Sequence, residues 1–233
     1  MSIDIIKVFG IALRLAPYFL GQQPQQPQSD QARTLLTDKD VALVSLRNKR
    51  GSVSVLLGTR DTGKSELAYR LAEFFGRPTY AISPQQKPPQ WITHITLGDI
   101  ETKVPAMTTL ICDDLPAYAS NRDYNEALVQ TLERIIPMVR HERQPPDFPV
   151  GEVHLIFCSQ SAAQADRYIL DCDLALLKPL GLLMDGIERP SIGKIYRDWV
   201  NPEFDNKDDD FVHKHAFMIT RGFRGLIEFK KTT

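Results

Sequence analysis

Residues 58–65 read Gly-Thr-Arg-Asp-Thr-Gly-Lys-Ser, and this stretch narrows the possible folds more than any other part of the chain. Two glycines with four residues between them, followed by Lys-Ser, form a phosphate-binding loop only when a buried strand leads in and a helix leads out. Both flanks are present. Val53 to Leu57 is an apolar run of strand length, and Leu67, Ala68, Leu71, Phe74 and Phe75 recur at helical spacing. Gly58 and Gly63 let the backbone curl so that successive N–H groups point inward, and the helix start adds its partial positive charge. The expected ligand is a nucleoside triphosphate, ATP, held by Gly58, Thr59, Arg60, Asp61, Thr62, Gly63, Lys64, Ser65 and Glu66. Lys64 can reach the outer phosphates, and Ser65 can offer its hydroxyl to Mg²⁺.

With 233 residues, 42% hydrophobic and 24% charged, the chain suits one sizeable α/β domain with short appendages. A net charge of −1 gives no overall basic signal. Contact with nucleic acid would need a local patch, or a ring of subunits that gathers one. Three cysteines do not make a disulfide framework, and Cys112 and Cys158 each end an apolar strand as buried thiols do. Cytoplasm is the expected compartment, since no apolar run reaches the ~18 residues of a spanning helix and no clear leader cleavage pattern is present.

Three regions follow in order. Residues 1–20 form an apolar helical arm, with Asp4, Lys7 and Arg14 on one side and Ile5, Ile6, Phe9, Leu13 and Leu15 over much of the rest. Residues 21–31 are a Gln/Pro linker that cannot build a core. Residues 32–233 form the main domain. The arm can dock on protein, lie on a membrane surface as a peripheral anchor, or stay irregular.

Within the domain, strands and helices alternate, which implies a mainly parallel sheet with helices on both faces. The expected strands are 53–57, 79–82, 109–112, 153–158 and 174–177. Helical patterns cover 66–75, 125–139, 162–170 and 192–200. A closing antiparallel hairpin is expected from 215–220 and 226–229, around a turn containing Gly222 and Gly225.

Thr109 to Cys112 is an apolar strand running into Asp113-Asp114. Side chains at a parallel strand's carboxyl end project into the ligand crevice. Asp113 is suited to hold Mg²⁺, and Asp114 to orient or deprotonate an attacking water. The bland alternative is a strand cap before the turn at Leu115-Pro116. A second apolar strand, Val153 to Cys158, ends in Ser159-Gln160. Gln160 could touch the terminal phosphate or the attacking water, or it could be solvated behind a helix cap at Ser159 or Ser161. Val139-Arg140-His141-Glu142-Arg143 closes a helix, where basic residues ordinarily complement the helix dipole.

Taken together, GTRDTGKS (58–65), LICDD (110–114), VRHER (139–143) and HLIFCSQS (154–161) resemble the motifs of the FtsK–HerA superfamily of RecA-like P-loop ATPases. The viral branch is the most similar: genome-packaging ATPases of internal-membrane viruses and zonula-occludens-toxin-like assembly ATPases of filamentous phages. AQADRYILDCDLALLKP (163–179) also resembles the stretch that follows the family's glutamine. The resemblance covers about 53–179 and a terminal hairpin. It implies a RecA-like fold and a homo-oligomer, such as a hexameric ring, with ATP between subunits. It also implies an arginine supplied in trans to the neighbour's phosphate, Arg140 being the best match and Arg143 the reserve. The chain departs from the family pattern at Asp114, where a glutamate is common, and at Arg60 and Asp61, where small residues are frequent.

Three functions are compatible with these residues. The first is a motor translocating double-stranded DNA, as in packaging a viral or mobile-element genome, with the arm held at a capsid or membrane. The second is an ATPase driving virion or secretion assembly without threading DNA. The third is a small-molecule kinase, although no arginine-rich lid is evident. The five histidines show no structural-zinc spacing. Asp208-Asp209-Asp210 reads as a solvated loop, and Trp91 and Trp199 as core or interface anchors. Arg47, Lys49 and Arg50, with Arg221, Arg224, Lys230 and Lys231, could face nucleic acid or merely solvent.

Overall fold

A computed structural model describes residues 38–83, 88–113, 134–142, 150–160, 171–181 and 190–229. Helix α1 (Asp38–Arg47) precedes strand β1 (Ser52–Leu57), the phosphate loop and helix α2 (Lys64–Phe75). Then come β2 (Thr79–Ile82), β3 (Thr93–His94), the short α3 (Ile100–Lys103), β4 (Thr108–Cys112), β5 (Val153–Ser159) and β6 (Leu174–Leu177). The last part holds α4 (Pro190–Ile195), a π-helical turn (Tyr196–Val200), α5 (Asn201–Phe204), α6 (Asp209–Lys214), β7 (His215–Thr220) and β8 (Arg224–Glu228).

The strands form one sheet in the order β3-β2-β4-β5-β1-β6-β7-β8. Strands β1 to β6 are parallel, and β7 and β8 join antiparallel beyond β6. All six residues of β1 are buried, as a central parallel strand covered on both faces requires. Alternation divides its side chains. Val53, Val55 and Leu57 enter one core with Leu110, Leu155 and Phe157. Leu56 enters the other with Ile111, Ile156 and the inner face of α2, where Leu67, Leu71, Phe74 and Phe75 lie. Burying each such side chain contributes about 1.5–3 kcal/mol, so α2 is fixed to the sheet by its apolar stripe. The loop at its start inherits that fixed position.

The structure bears out an α/β sheet of the RecA-like kind, mainly parallel, with a closing hairpin. Several boundaries are corrected. Strand β8 starts at Arg224, so Gly225 pairs with Met218 instead of lying in the turn. Helix α1 and the short elements around β3 carry too few residues for their periodicity to stand out. At 192–200 the expected single helix widens into a π-helical turn that keeps Tyr196 and Val200 buried. Asp208–Asp210 is no loop: Asp208 caps α6, its carboxylate accepting from the Phe211 N–H at 2.8 Å, and Asp210 pairs with Lys214 at 2.5 Å. Trp91 and Trp199 are exposed at 51% and 36%, which removes them from the core.

Of the expected helix 125–139, the described end passes into a 3₁₀ turn at Ile136–Met138, where Pro137 supplies no N–H. The arm and linker (1–31), the 162–170 helix, Asp114, Arg143, Lys230 and Lys231 lie outside the described residues.

Candidate nucleotide site

The site forms where neighbouring strands end together. Leu57 of β1 is in register with Ser159 of β5 on one side and with Leu177 of β6 on the other. Cys112 of β4 is in register with Phe157 of β5. The exits carrying Asp113, Gln160, Gly58 and Lys178 therefore stand side by side along one edge.

The backbone of the loop is tied down from both flanks. The Gly58 N–H donates to the Ser159 carbonyl at 3.3 Å, and the Thr59 N–H donates to the Pro179 carbonyl at 3.1 Å. Gly58 has φ +152°, and a Cβ there would meet Lys178 Cβ at 2.4 Å. Only glycine fits. Gly63 precedes α2 with φ +80°, which also suits glycine. Asp61 takes φ +58°, a left-handed conformation that aspartate tolerates better than most side chains. Inside the loop, Thr62 Oγ1 donates to the Thr59 carbonyl at 2.8 Å, and Lys64 Nζ donates to the same oxygen.

Above the loop opens a cleft of about 370 Å³. From the loop it is lined by Arg60, Asp61, Gly63, Lys64, Ser65 and Glu66. From the neighbouring strand ends come Ser83, Asp113 and Gln160, and His213 arrives from α6. Asp113 is buried at 5% exposure, its N–H held by the Ile82 carbonyl at 2.9 Å. Glu66 also pairs with Arg70 one turn along α2, at 2.9 Å. Among the described residues, no cluster of three His, Cys, Asp or Glu could hold a metal by itself. The oxygens of Ser65 and Asp113, completed by phosphate, are the donor set a hard cation takes.

Electrostatics vary sharply around this edge. Burial, then the Lys64 ammonium, pushes Lys178 down to about 7. Burial, then the Asp113 carboxylate, pushes the Tyr69 hydroxyl up to about 12. Burial also raises Cys112 to about 12 and Cys158 well above its ordinary value, with Asp113 adding to both.

Arg140 is elsewhere. Its Nη2 lies 2.8 Å from Asp173 Oδ2, and Asp173 also accepts from Lys49 Nζ at 2.7 Å and from the Val53 N–H at 2.9 Å. Val53 is near the amino end of β1, five residues, or about 16 Å, from Gly58 at the start of the loop. Lys49 and Arg50 are likewise engaged, Arg50 with Glu152 at 3.9 Å.

Two residues in contact with the loop escape a motif-based reading. Lys178 is fully buried, with Nζ donating to the carbonyls of Val212 at 2.6 Å and His213 at 3.0 Å. A lysine directly at the end of Leu174-Ala175-Leu176-Leu177 was the available signal. His213 had none, because it reaches the cleft through the fold alone.

No family model and no curated protein matches the chain. Solved structures do. The pCW3 conjugation coupling protein TcpA, in its monomer form with ATPγS, matches at TM-score 0.51 and 10% identity over 77% of this chain. This chain spans 60% of that protein's length. The genome-packaging NTPase B204 of Sulfolobus turreted icosahedral virus 2, with AMPPCP, matches at TM-score 0.45 and 13% identity, over 78% of this chain and all of B204. The cytoplasmic domain of the type VII secretion ATPase EccC of Thermomonospora curvata matches at 0.38 and 13% identity, over 78% of this chain and 24% of its own. At such identities, the likeness to the coupling protein is one of fold.

Proposed function

We propose that this protein is an ATP-hydrolysing motor of the FtsK–HerA kind, a ring of identical subunits that moves double-stranded DNA to package a viral or mobile-element genome. The observation that carries this reading is the meeting of Lys64 and Ser65, Asp113 and Gln160 around one cleft, each from a different strand end. One solved structure of like fold is a conjugation coupling protein with ATPγS, which supports the nucleotide-binding part of this reading. Exposed Arg221 and Arg224 flank the β7–β8 turn and could present charge to phosphates, Arg224 lying 3.8 Å over the Trp199 ring. The arm at 1–20 would dock the ring at a capsid or membrane.

In this mechanism the main-chain amides of the loop bind the phosphates, and Lys64 offsets their charge. Mg²⁺, held by Ser65 and Asp113, would neutralise charge on the phosphate oxygens when bound. Gln160, at the end of β5, orients water toward the terminal phosphate. Asp114 follows Asp113 and would accept that water's proton. Arg140, remote from its own loop, would serve the neighbouring subunit's site, with Arg143 in reserve. Release of the terminal phosphate then shifts the loop and its flanking strand exits.

ATP turnover measured with and without double-stranded DNA, beside a sizing column, tests this reading. DNA-stimulated turnover by an oligomer supports it. Turnover by a monomer that responds only to a small phosphate acceptor would replace the motor with a kinase.

A further inference from the structure

The far side of the phosphate loop is closed by an arrangement that no step above uses. Helix α6 ends against the loop, with the His213 carbonyl 3.4 Å and His213 Nδ1 3.2 Å from where a Gly63 Cβ would stand. The His213 side chain is exposed and forms part of the cleft wall. What holds it there is Lys178. Its stem lies against Gly58, its main-chain N–H donates to the Leu57 carbonyl at 2.7 Å, and its ammonium caps the carbonyls of Val212 and His213. Cations are favoured at a helix's carboxyl end, where carbonyls are left over. Pro179, the next residue, accepts from both the N–H and the hydroxyl of Thr59. One dipeptide thus clamps both the loop and the helix that carries the histidine.

We propose that His213 is a phosphate-contacting residue of the nucleotide site, and that Lys178 is its positioning residue, fixing the end of α6 against the loop. The imidazole donates an N–H to the phosphate chain from the α6 side of the cleft, beside Gly63. Because α6 passes into β7 with no intervening loop, the same contact ties phosphate occupancy to the terminal hairpin. This proposal rests on the nucleotide-binding reading above.

The test is calorimetric titration of the full chain with Mg·ATPγS. His213→Ala should weaken binding by about tenfold or more, as loss of a hydrogen bond to a charged group does. His213→Gln, which keeps a donor, should recover most of that loss. Lys178→Met keeps the apolar stem and should weaken binding similarly. The double variant should bind no worse than the weaker single one, because both changes remove a single contact. Wild-type affinity in His213→Ala, or losses that multiply in the double variant, would overturn the proposal.

If Lys178→Met does not fold, hydrogen exchange on the wild-type chain decides the role of α6. Mg·ATPγS should slow amide exchange across residues 209–214, and unchanged exchange there overturns the link. Absence of any Mg·ATPγS binding by the wild-type chain would instead remove the nucleotide reading itself, whereas binding with no response at His213 removes only this inference.

Discussion

Arg140 Nη2 lies 2.8 Å from Asp173 Oδ2, so the arginine proposed to act on a neighbour is braced by its own subunit. The same carboxylate holds Lys49 and the Val53 N–H, and these donors keep Asp173 below the usual carboxylate range despite its burial. A finger served from the far end of β1 can work only between subunits. Arg140→Ala should leave Mg·ATPγS affinity within about twofold while cutting turnover by ~10³ or more, the scale of a phosphoryl-transfer arginine. Mixing Arg140→Ala subunits with Lys64→Ala subunits should restore part of the turnover, because some sites then combine an intact loop with an intact neighbouring arginine. No recovery in the mixture would rule out the trans role.

Lys64 and Asp113 line the same cleft from different elements, the start of α2 and the exit of β4, and should fail differently. Lys64→Ala should lose nucleotide affinity with and without magnesium. Asp113→Asn keeps the shape and removes the charge, so it should lose mainly the part of affinity that magnesium adds, by about tenfold or more. Titrations with Mg²⁺ and with a chelator separate the two patterns. Equal losses under both conditions in Asp113→Asn would contradict the assignment of Asp113 to the metal.

Gly58 is the tightest point of the loop. A methyl group would meet Lys178 Cβ at 2.4 Å in a conformation that L side chains rarely adopt. Gly58→Ala should lower stability by about 3 kcal/mol or more, combining backbone strain with overpacking. Gly98 has open space and no such backbone demand, so Gly98→Ala is the control and should change the melting midpoint little. Equal melting midpoints for the two variants would contradict this account of the loop.

His154 gives the fold an acid-sensitive point. Its ring is fully buried, stacked on Phe75 at 4.2 Å between centroids, and it shares a 2.7 Å hydrogen bond with Ser52 Oγ. Burial first, then the Arg77 charge, pushes it down to about 3. The unfolded chain therefore takes up this proton near its ordinary value, around 6.5, while the folded chain resists. Stability contributed here is present above about pH 6.5 and falls as pH drops toward 3, by up to about 1.4 kcal/mol per pH unit. His154→Gln should flatten the stability profile between about pH 6.5 and 4, above the range where carboxylates dominate. An unchanged acid limb in that variant would assign the sensitivity elsewhere.

The loop and its flanks were legible because strand, turn and helix each carry a local signal. The mostly apolar run Val53 to Leu57, the glycines at 58 and 63 and a helical stripe need no distant partner to be recognised. Asp113 and Gln160 could be placed because parallel strand ends converge by rule. The capping role of Asp208 could have been read from the helix that follows, but three consecutive acids obscured it. For Trp91 and Trp199 only the core half of the expectation fails, because a large apolar ring reads as core unless its neighbours are known. Lys178 and His213 depended on β7 turning back beside β6, a long-range pairing invisible in local pattern. A buried lysine at a strand exit states that something accepts its protons, without saying what.

The thiols of Cys112 and Cys158 are buried at the ends of β4 and β5, one residue before Asp113 and two before Gln160. At 1% exposure or less, neither sulfur can meet an alkylating reagent until those strands part. The chain thus carries two natural stopwatches beside Asp113 and Gln160. The half-buried Cys172 serves as the faster hand against which they can be read.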